Sequence, residues 1–210
     1  MIKPTVDEII DIYRYEGARQ YGREAVSQLE HALQCAYLAE QADSSLELVA
    51  ACFLHDVGHM VGHQVQQDIM GRAVQYLAAG DSHEYQHTAA EQTALLEEES
   101  PNDLHEHRAQ WYLRGSFGPG VIEPIRLHVE AKRYLCYADT GYWNILSAES
   151  KHSLEMQGGR HNSDQAAAFM ASRHAANAVL LRRWDDRAKT PCTQTPDLEH
   201  YAAVLKSVAL

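Results

Sequence analysis

The sequence has few of the features that mark secreted and membrane proteins. It contains four cysteines among 210 residues, scattered without any paired short spacing, and buried free thiols explain them best. No apolar run approaches the length of a membrane span, and residues 1–4 do not lead into the apolar core of a signal peptide. We therefore expect a cytoplasmic protein that is not inserted in a membrane.

Positive charge is also scarce. Lysine and arginine total 18 against 29 aspartates and glutamates, so the net charge is −11 and the pI is about 5.6. This balance argues against binding to nucleic acid or to an anionic membrane surface, but it leaves room for a local basic pocket that binds a small anion. The length suits one well-packed domain and is short for two, so we expect a single domain over residues 1–210.

Strand-like alternation of useful length is absent too, and apolar residues recur at helical spacing. Helices are expected at about 6–15, 26–41, 46–54, 104–113, 121–137 and 164–185, with a short one near the C-terminus. The chain is therefore predicted to be all-α. Residues 61–102 are polar and interrupted by Gly62, Gly71 and Gly80, which favours an insertion or lid over a part of the core.

Histidine, in contrast, is abundant, with 13 copies. His55 and Asp56 end the apolar run that begins at residue 46, and His59 follows one turn later. Neighbouring helical residues point about 100° apart, so an aspartate here must reach sideways, which suits a carboxylate that bridges two metal ions. The simpler alternative is a helix C-terminus with Gly58 near the cap and histidines favoured by the helix dipole.

A second histidine motif lies inside the polar segment. Residues 83–87 read His-Glu-Tyr-Gln-His, a spacing that on a helix places two zinc ligands and a general-base glutamate on one face. No Gly-x-x-His continuation follows, and the flanking residues are polar. We therefore do not favour a zinc protease.

Helical spacing brings further polar residues near candidate ligands. Tyr21, Glu24 and Gln28 fall on the face of His31 if the helix over 26–41, or its lead-in, extends that far back. An acid and a phenol would then face the imidazole. A surface glutamate and a packed tyrosine are the ordinary alternative.

Two cations stand beside candidate ligands in the same way. Lys132 follows His128 by one turn, and Arg182 precedes Asp185 by three residues, so each pair can share a helix face. A lysine beside a metal-binding histidine suits an anionic substrate. The alternatives are a solvent-facing lysine and a surface salt bridge. Gln157 precedes a glycine pair, which predicts a turn that brings its side chain near some partner.

Five stretches taken together resemble the phosphonate-degrading HD-domain oxygenases. They are Gln-Leu-Glu-His-Ala-Leu-Gln-Cys-Ala at 28–36, His-Asp-Val-Gly-His at 55–59, His-Val-Glu-Ala-Lys-Arg-Tyr-Leu at 128–135, Leu-Glu-Met-Gln-Gly-Gly at 154–159 and Arg-Arg-Trp-Asp at 182–185. The resemblance spans about residues 21–201, and its motifs are far more specific than a lone His-Asp pair. It implies an HD-domain helical bundle.

The resemblance also implies a metal centre. Its members hold a mixed-valent Fe(II)/Fe(III) diiron centre, in which one iron would be bound by His31, His55, Asp56 and Asp185. The other iron would take His105 and His128, with Asp56 bridging the two. The choice of His105 over His107 or His87 rests on matching residues 105–106 and 111–113 to the family's His-Glu and Tyr-Leu pattern.

The substrate site is implied in the same manner. The family's substrate-contacting positions match Tyr21, Glu24, His59, Lys132, Ser150, Gln157 and Arg182, of which the first three are also expected to be catalytic. The implied reaction uses O2 to cleave the carbon–phosphorus bond of 1-hydroxy-2-aminoethylphosphonate or its trimethylammonio relative, giving phosphate and glycine or glycine betaine. Glu24 could pair with the substrate amine, but the sequence does not choose between the two substrates.

Two other functions remain open from the residues. An HD-domain phosphohydrolase acting on a nucleotide or phosphoester would use the same ligands with a hydrolytic metal pair. A catalytically silent helical domain would only pack its histidines. The sequence also departs from the family in a longer span between His59 and His105 and in Arg160-His161 after the glycine pair. The first departure bears on the lid and substrate size, and the second is expected to be peripheral.

Overall fold

The computed structural model describes residues 3–61 and 104–210. These residues form ten α-helices and a 3-10 turn, Val57–His59, with no β-strand among them, which confirms the all-α prediction. The helices are α1 (Val6–Glu16), α2 (Gln28–Gln41), α3 (Leu46–Leu54), α4 (His105–Leu113), α5 (Pro119–Ala138), α6 (Tyr142–Ile145), α7 (Ala148–Met156), α8 (Ser163–Met170), α9 (Ala175–Asp185) and α10 (Leu198–Val208). The expected insertion at 61–102 and the motif at 83–87 lie, except for Val61, outside the described residues.

Helix α3 lies at the centre of the core. Every residue from Leu48 to Leu54 is buried, as expected for a helix that is apolar on all faces. Helices α2, α5 and α10 pack around it, and α9 also contacts it. The polar pair His55 and Asp56 directly follows this buried helix, and it therefore lies in the interior beside the core.

The start of α2 differs from the expected helix over 26–41. Ser27 caps the helix, its hydroxyl accepting a hydrogen bond from Glu30 N while the Glu30 carboxylate accepts one from Ser27 N. This capping box begins the helix at Gln28. Tyr21 and Glu24 therefore lie in a loop closed by a bridge between Gln20 and Ser27, and the helical-face argument for them was wrong.

The long helix expected over 164–185 is also wrong. The chain leaves α8 after Met170 and enters α9 at Ala175. In the turn between them, Ser172 Oγ accepts a hydrogen bond at 3.3 Å from His174 N, since a serine hydroxyl can compete for backbone donors. The turn lets α9 pack along α5 and α2 and brings its last residue, Asp185, into the interior.

The four cysteines are free thiols, as expected, but they are not all buried. Cys35 and Cys52 are in the core, Cys136 is half-buried, and Cys192 is exposed. Cys192 lies on the loop between α9 and α10. Within residues 3–61 and 104–210, none of the helices combines the length and apolar character needed to cross a membrane.

Candidate metal centre

Asp56 lies between two pairs of imidazoles. It follows the end of α3 and has a backbone φ of −104° and ψ of 9°, and its carboxylate is buried. Oδ2 lies 3.2 Å from His55 Nε2 and 3.6 Å from His31 Nε2. Oδ1 lies 3.4 Å from His105 Nε2 and 3.8 Å from His128 Nε2. The two oxygens of one carboxylate therefore face two separate donor pairs.

The first donor pair is completed by Asp185. His31 Nε2 and His55 Nε2 are 3.3 Å apart, and His31 Nε2 is 3.5 Å from Asp185 Oδ1. All three side chains are buried, and their donor atoms lie within 4.8 Å of one another. They come from α2, the end of α3 and the end of α9, so the fold brings residues from three distant parts of the chain to one point.

The second donor pair comes from α4 and α5. His105 Nε2 and His128 Nε2 are 3.0 Å apart. His59 stacks on His105 with ring centroids 4.1 Å apart, and its Nε2 lies 3.9 Å from Asp56 Oδ1. Of the alternatives to His105, His107 has its Nε2 3.7 Å from Glu106 Oε1, and His87 lies outside the described residues.

Backbone carbonyls orient three of these imidazoles. The Nδ1 atoms of His31, His55 and His128 lie 2.8, 2.8 and 2.7 Å from the carbonyl oxygens of Ala188, Cys52 and Ile125, respectively. A carbonyl only accepts, so each Nδ1 carries the proton. In its neutral form each ring then presents the Nε2 lone pair toward Asp56, which is the tautomer that binds a metal ion.

The two buried carboxylates make the cluster a favourable place for a cation. Both oxygens of Asp56 and Oδ1 of Asp185 are buried and have no hydrogen-bond partner among the described residues. Burial lowers the pKa of His31 to about 4 and that of His128 well below its usual value, so both rings are neutral at pH 7. Burial also lowers the pKa of His55, but the Asp56 carboxylate outweighs it and raises that pKa to about 10. The cluster thus favours a positive charge, and its imidazole and carboxylate donors fit iron, zinc or similar divalent ions.

Gly58 allows the close approach of α4 to this centre. A Cβ at this position would lie 2.1 Å from the carbonyl oxygen of His105 and 3.0 Å from Ala109 N. We expect Gly58→Ala to push the 3-10 turn away from α4, to lower the free energy of unfolding by about 1–3 kcal/mol and to reduce metal binding by the His105 pair. Thermal melting and metal analysis measure both effects.

The matched control is Gly118→Ala, because a Cβ at Gly118 meets nothing within 4 Å. This variant is expected to bind metal like the parent protein and to melt only slightly below it, because Gly118 is the N-cap residue of α5 and alanine is less favourable there. A Gly58→Ala protein that kept both the parent melting temperature and the parent metal content would contradict the proposed role of this glycine.

A cavity of about 370 Å³ opens beside the centre. Its wall includes all seven residues that the family resemblance assigns to the substrate, namely Tyr21, Glu24, His59, Lys132, Ser150, Gln157 and Arg182. It also includes Asp56, His105, His128 and Asp185 of the cluster. The structure therefore brings the predicted substrate contacts and most of the predicted metal ligands to a common space.

Two cations of the cavity wall are buried rather than solvent-facing. Lys132 Nζ donates a hydrogen bond to Ser153 Oγ at 2.7 Å. Arg182 lies 2.6 Å from Asp185 Oδ2, and its guanidinium also binds Asp186. The expected alternatives of a surface lysine and a surface salt bridge are wrong for these residues, since Lys132 is 2% and Arg182 is 5% exposed.

The loop before α2 reaches the centre through Tyr21. The Tyr21 ring stacks on His31 with centroids 3.9 Å apart and an interplanar angle of 12°. Burial, followed by the Asp56 charge, raises the pKa of Tyr21 well above its usual value. The side chain therefore faces the candidate metal ligands as a neutral phenol.

Gln157 is presented by a turn that hydrogen bonds join to Arg133 of α5. The two glycines after it have φ values of +93° and +70°, which only glycine adopts readily. Arg133 Nε donates to the carbonyl oxygen of Gly159 at 2.9 Å, and Glu130 accepts a hydrogen bond from Arg133 at 2.8 Å. Glu130 also contacts the buried His161 at 2.7 Å. His161 thus helps to hold this turn, in contrast to the peripheral role expected from the sequence.

Sequence reasoning missed Lys189. Its Nζ lies 3.2 Å from Glu24 Oε1 and 3.3 Å from Ser150 Oγ, and it lines the cavity. The sequence feature that could have identified Lys189 is its position four residues after Asp185, the spacing of one helical turn. The helix itself, however, ends at Asp185.

Comparison with known proteins agrees with this arrangement. The HD domain family model matches residues 29–139. The chain is 37% identical over 202 residues to a hydroxymethylphosphonate dioxygenase of Gimesia maris, covering 96% of this chain and 87% of the relative. It is 28% identical over 202 residues to a 1-hydroxy-2-(trimethylamino)ethyl phosphonate dioxygenase (glycine-betaine-forming) of Leisingera caerulea, covering 96% of this chain and 88% of the relative.

Proposed function

The chain belongs to the HD-domain family, among the phosphonate dioxygenases, and from this premise we propose that it is an iron-dependent oxygenase that cleaves the carbon–phosphorus bond of a 1-hydroxyalkylphosphonate. The observation that carries the proposal is the position of Asp56, with one oxygen toward each pair of histidines. A hydrolytic HD domain could use the same donors. The relatives of this chain that are named as dioxygenases, at 37% and 28% identity over almost its whole length, favour oxidation over hydrolysis.

We assign six residues to a pair of iron ions. His31, His55 and Asp185 would hold one ion and His105 and His128 the other, with Asp56 shared. The unpartnered oxygens of Asp56 and Asp185 support this assignment. A bound mixed-valent iron pair supplies what water attack cannot, namely the activation of O2 that breaks a carbon–phosphorus bond.

The cationic side of the cavity is assigned to the phosphonate group. Lys132 and Arg182 place two buried positive charges on its wall, and a guanidinium and an ammonium are the usual ligands of such oxyanions. The Ser150 hydroxyl lies 3.3 Å from Arg182 Nη2, so it extends the same polar surface. Gln157 Oε1, buried and without a hydrogen-bond partner, faces this cavity and would accept a hydrogen bond from a hydroxyl or phosphonic acid group.

Two residues beside Asp56 are assigned to the reacting hydroxymethylene end. His59 lies on the cavity wall 3.9 Å from Asp56 Oδ1 and is only partly buried, so it is placed to hold the proton of the substrate hydroxyl. Tyr21 covers the His31 face of the centre and would exclude water from it. The overall balance is one 1-hydroxyphosphonic acid plus one O2 giving one carboxylic acid and one phosphoric acid, so carbon and phosphorus each gain one oxygen.

Two substrate classes fit this balance. Hydroxymethylphosphonate would give formate and phosphate, in line with the name of the Gimesia maris relative. A 1-hydroxy-2-(amino or trimethylammonio)ethylphosphonate would give glycine or glycine betaine and phosphate, in line with the Leisingera caerulea relative. The cavity volume of about 370 Å³ accommodates either class.

Oxygen uptake and phosphate release test the proposal together. Iron-loaded protein is mixed in air with each of the three phosphonates, and an oxygen electrode and a phosphate assay follow the reaction. We expect one phosphate for each O2 consumed with at least one substrate, and no phosphate under argon. Phosphate release from phosphoesters with Mn²⁺ and without O2 would instead identify a phosphohydrolase. Absence of stoichiometric metal would identify a non-catalytic domain.

A further inference from the structure

An ion pair lies at the end of the cavity where a substrate amine would bind. Glu24, in the loop before α2, and Lys189, in the loop after α9, meet at 3.2 Å with side chains only 18% and 12% exposed. Lys189 Nζ is also 3.3 Å from Ser150 Oγ and 5.6 Å from the Tyr21 ring centroid. The lysine is therefore held on three sides by residues of the cavity wall.

The charge of Glu24 is already neutralised in this arrangement. Desolvation tends to raise the pKa of Glu24, but a hydrogen bond from Ser147 and the charge and hydrogen bond of Lys189 outweigh it, so the net pKa is below its usual value. Glu24 is thus an ionised carboxylate that accepts a hydrogen bond from Lys189 Nζ. A cationic ligand at Glu24 would therefore have to compete with Lys189.

A cationic substrate would have to break this pair. An ammonium group that paired with Glu24 would leave the charge of Lys189 unpaired and largely shielded from water. Lys189 Nζ and Arg182 Nη2 each lie 3.3 Å from Ser150 Oγ, so the unpaired lysine would also have a second cation nearby. Removing one partner of a shielded charge pair is costly, because the other charge is left unpaired in a poorly solvated place. A substrate with an uncharged substituent leaves the pair intact.

From these contacts we infer that Lys189 sets the substrate class by occupying Glu24, so that the site prefers 1-hydroxyphosphonates without an amine, hydroxymethylphosphonate among them. This inference rests on the proposed function. It makes Lys189 a specificity-determining residue, and it assigns to Glu24 the role of positioning Lys189 rather than that of binding an amine.

The effects of substrate size and substrate charge on kcat/KM are separated by comparing two substrates of nearly equal shape. In 1-hydroxypropylphosphonate a methyl group replaces the ammonium of 1-hydroxy-2-aminoethylphosphonate. We expect the parent enzyme to show the higher kcat/KM with the methyl compound. In Lys189→Met the ratio of the two kcat/KM values is expected to move toward the amine by roughly 30- to 100-fold, the lower end of the range for removal of one member of a buried charge pair, because both side chains are slightly exposed.

Three further variants identify the cause of such a change. Lys189→Arg keeps the charge beside Glu24 and is expected to keep the parent ratio. Glu24→Gln in the Lys189→Met background removes the uncovered carboxylate and is expected to cancel the gain for the amine. Lys206→Met is the control, because it removes an exposed lysine that is paired with Asp7 and does not line the cavity. It is expected to behave like the parent.

Inhibition of the parent enzyme gives a second measurement that needs no variant. Ethylphosphonate and propylphosphonate lack the reactive hydroxyl, and they are expected to inhibit more strongly than 2-aminoethylphosphonate. A parent enzyme that prefers the amine in both assays overturns the inference, as does a Lys189→Met enzyme that keeps the parent ratio. Either result leaves the proposed function standing. Failure of the parent enzyme to release phosphate from any phosphonate overturns the proposed function itself.

Discussion

The Asp56→Asn variant is expected to lose both O2 consumption and the paired metal centre. One carboxylate faces the donors of both proposed metal positions, at 3.2 Å from His55 Nε2 and 3.4 Å from His105 Nε2. An amide has the same shape but no charge, and only one of its two terminal atoms can bind a cation. We therefore expect the loss of activity to exceed the roughly 10- to 100-fold that accompanies removal of a residue that merely orients a ligand.

Metal content distinguishes a lost bridge from a misfolded protein. Iron is counted per chain after anaerobic loading, and Mössbauer spectra report whether the ions are paired. The parent protein is expected to hold two irons per chain, and Asp56→Asn no more than one. Asp164→Asn, at an exposed position in the first turn of α8, serves as the control for an Asp-to-Asn change. Two paired irons in Asp56→Asn would show that another group bridges them and would refute the assignment.

The central part of the site could be predicted because its signals are local. The uninterrupted apolar run of α3 predicts a buried helix, and the adjacent His55 and Asp56 are then carried into the interior by its end. Helical spacing likewise places Lys132 one turn from His128 on the buried side of α5. In both cases the period of a helix, 3.6 residues, is enough to relate the residues.

Other parts depend on contacts that no periodicity records. Lys189 meets Glu24 across 165 residues of sequence, and its segment carries no motif of its own. Tyr21 reaches His31 from a loop and not from a helical face, so its position depends on the turn between Gln20 and Ser27. The break between α8 and α9 has neither glycine nor proline, the residues that normally mark such a stop.

Removal of the Lys132 charge is expected to cause the second large loss. Lys132 is 2% exposed, donates a 2.7 Å hydrogen bond to Ser153 and lines the proposed phosphonate site. In Lys132→Met the anion would meet an apolar group, so we expect kcat/KM to fall by about 30- to 1000-fold, which corresponds to the 2–4 kcal/mol typical of a buried charge-assisted contact. Metal content is expected to stay at the parent value, since Lys132 is not among the proposed ligands.

The same lysine predicts a pH dependence. Burial, and next the positive charge of Arg182, lower the pKa of Lys132 to about 7, although three carboxylates act in the opposite direction, those of Asp185, Asp186 and Glu106. Because a lysine is charged only below its pKa, the free enzyme loses this cation as the pH rises through about 7. The kcat/KM for the phosphonate is therefore expected to decline above pH 7, toward a limit of about tenfold per pH unit.

Comparison with Lys132→Arg isolates that effect. Arginine stays charged at any working pH, so the decline above pH 7 is expected to disappear, while the ionisation of the phosphonate itself affects both proteins equally. A bound phosphonate dianion stabilises the protonated lysine, so the kcat profile of the parent enzyme is expected to decline at a higher pH than its kcat/KM profile. Identical pH profiles for the parent and Lys132→Arg would show that another group titrates. Binding and turnover of the phosphonate would then not depend on the charge state of Lys132.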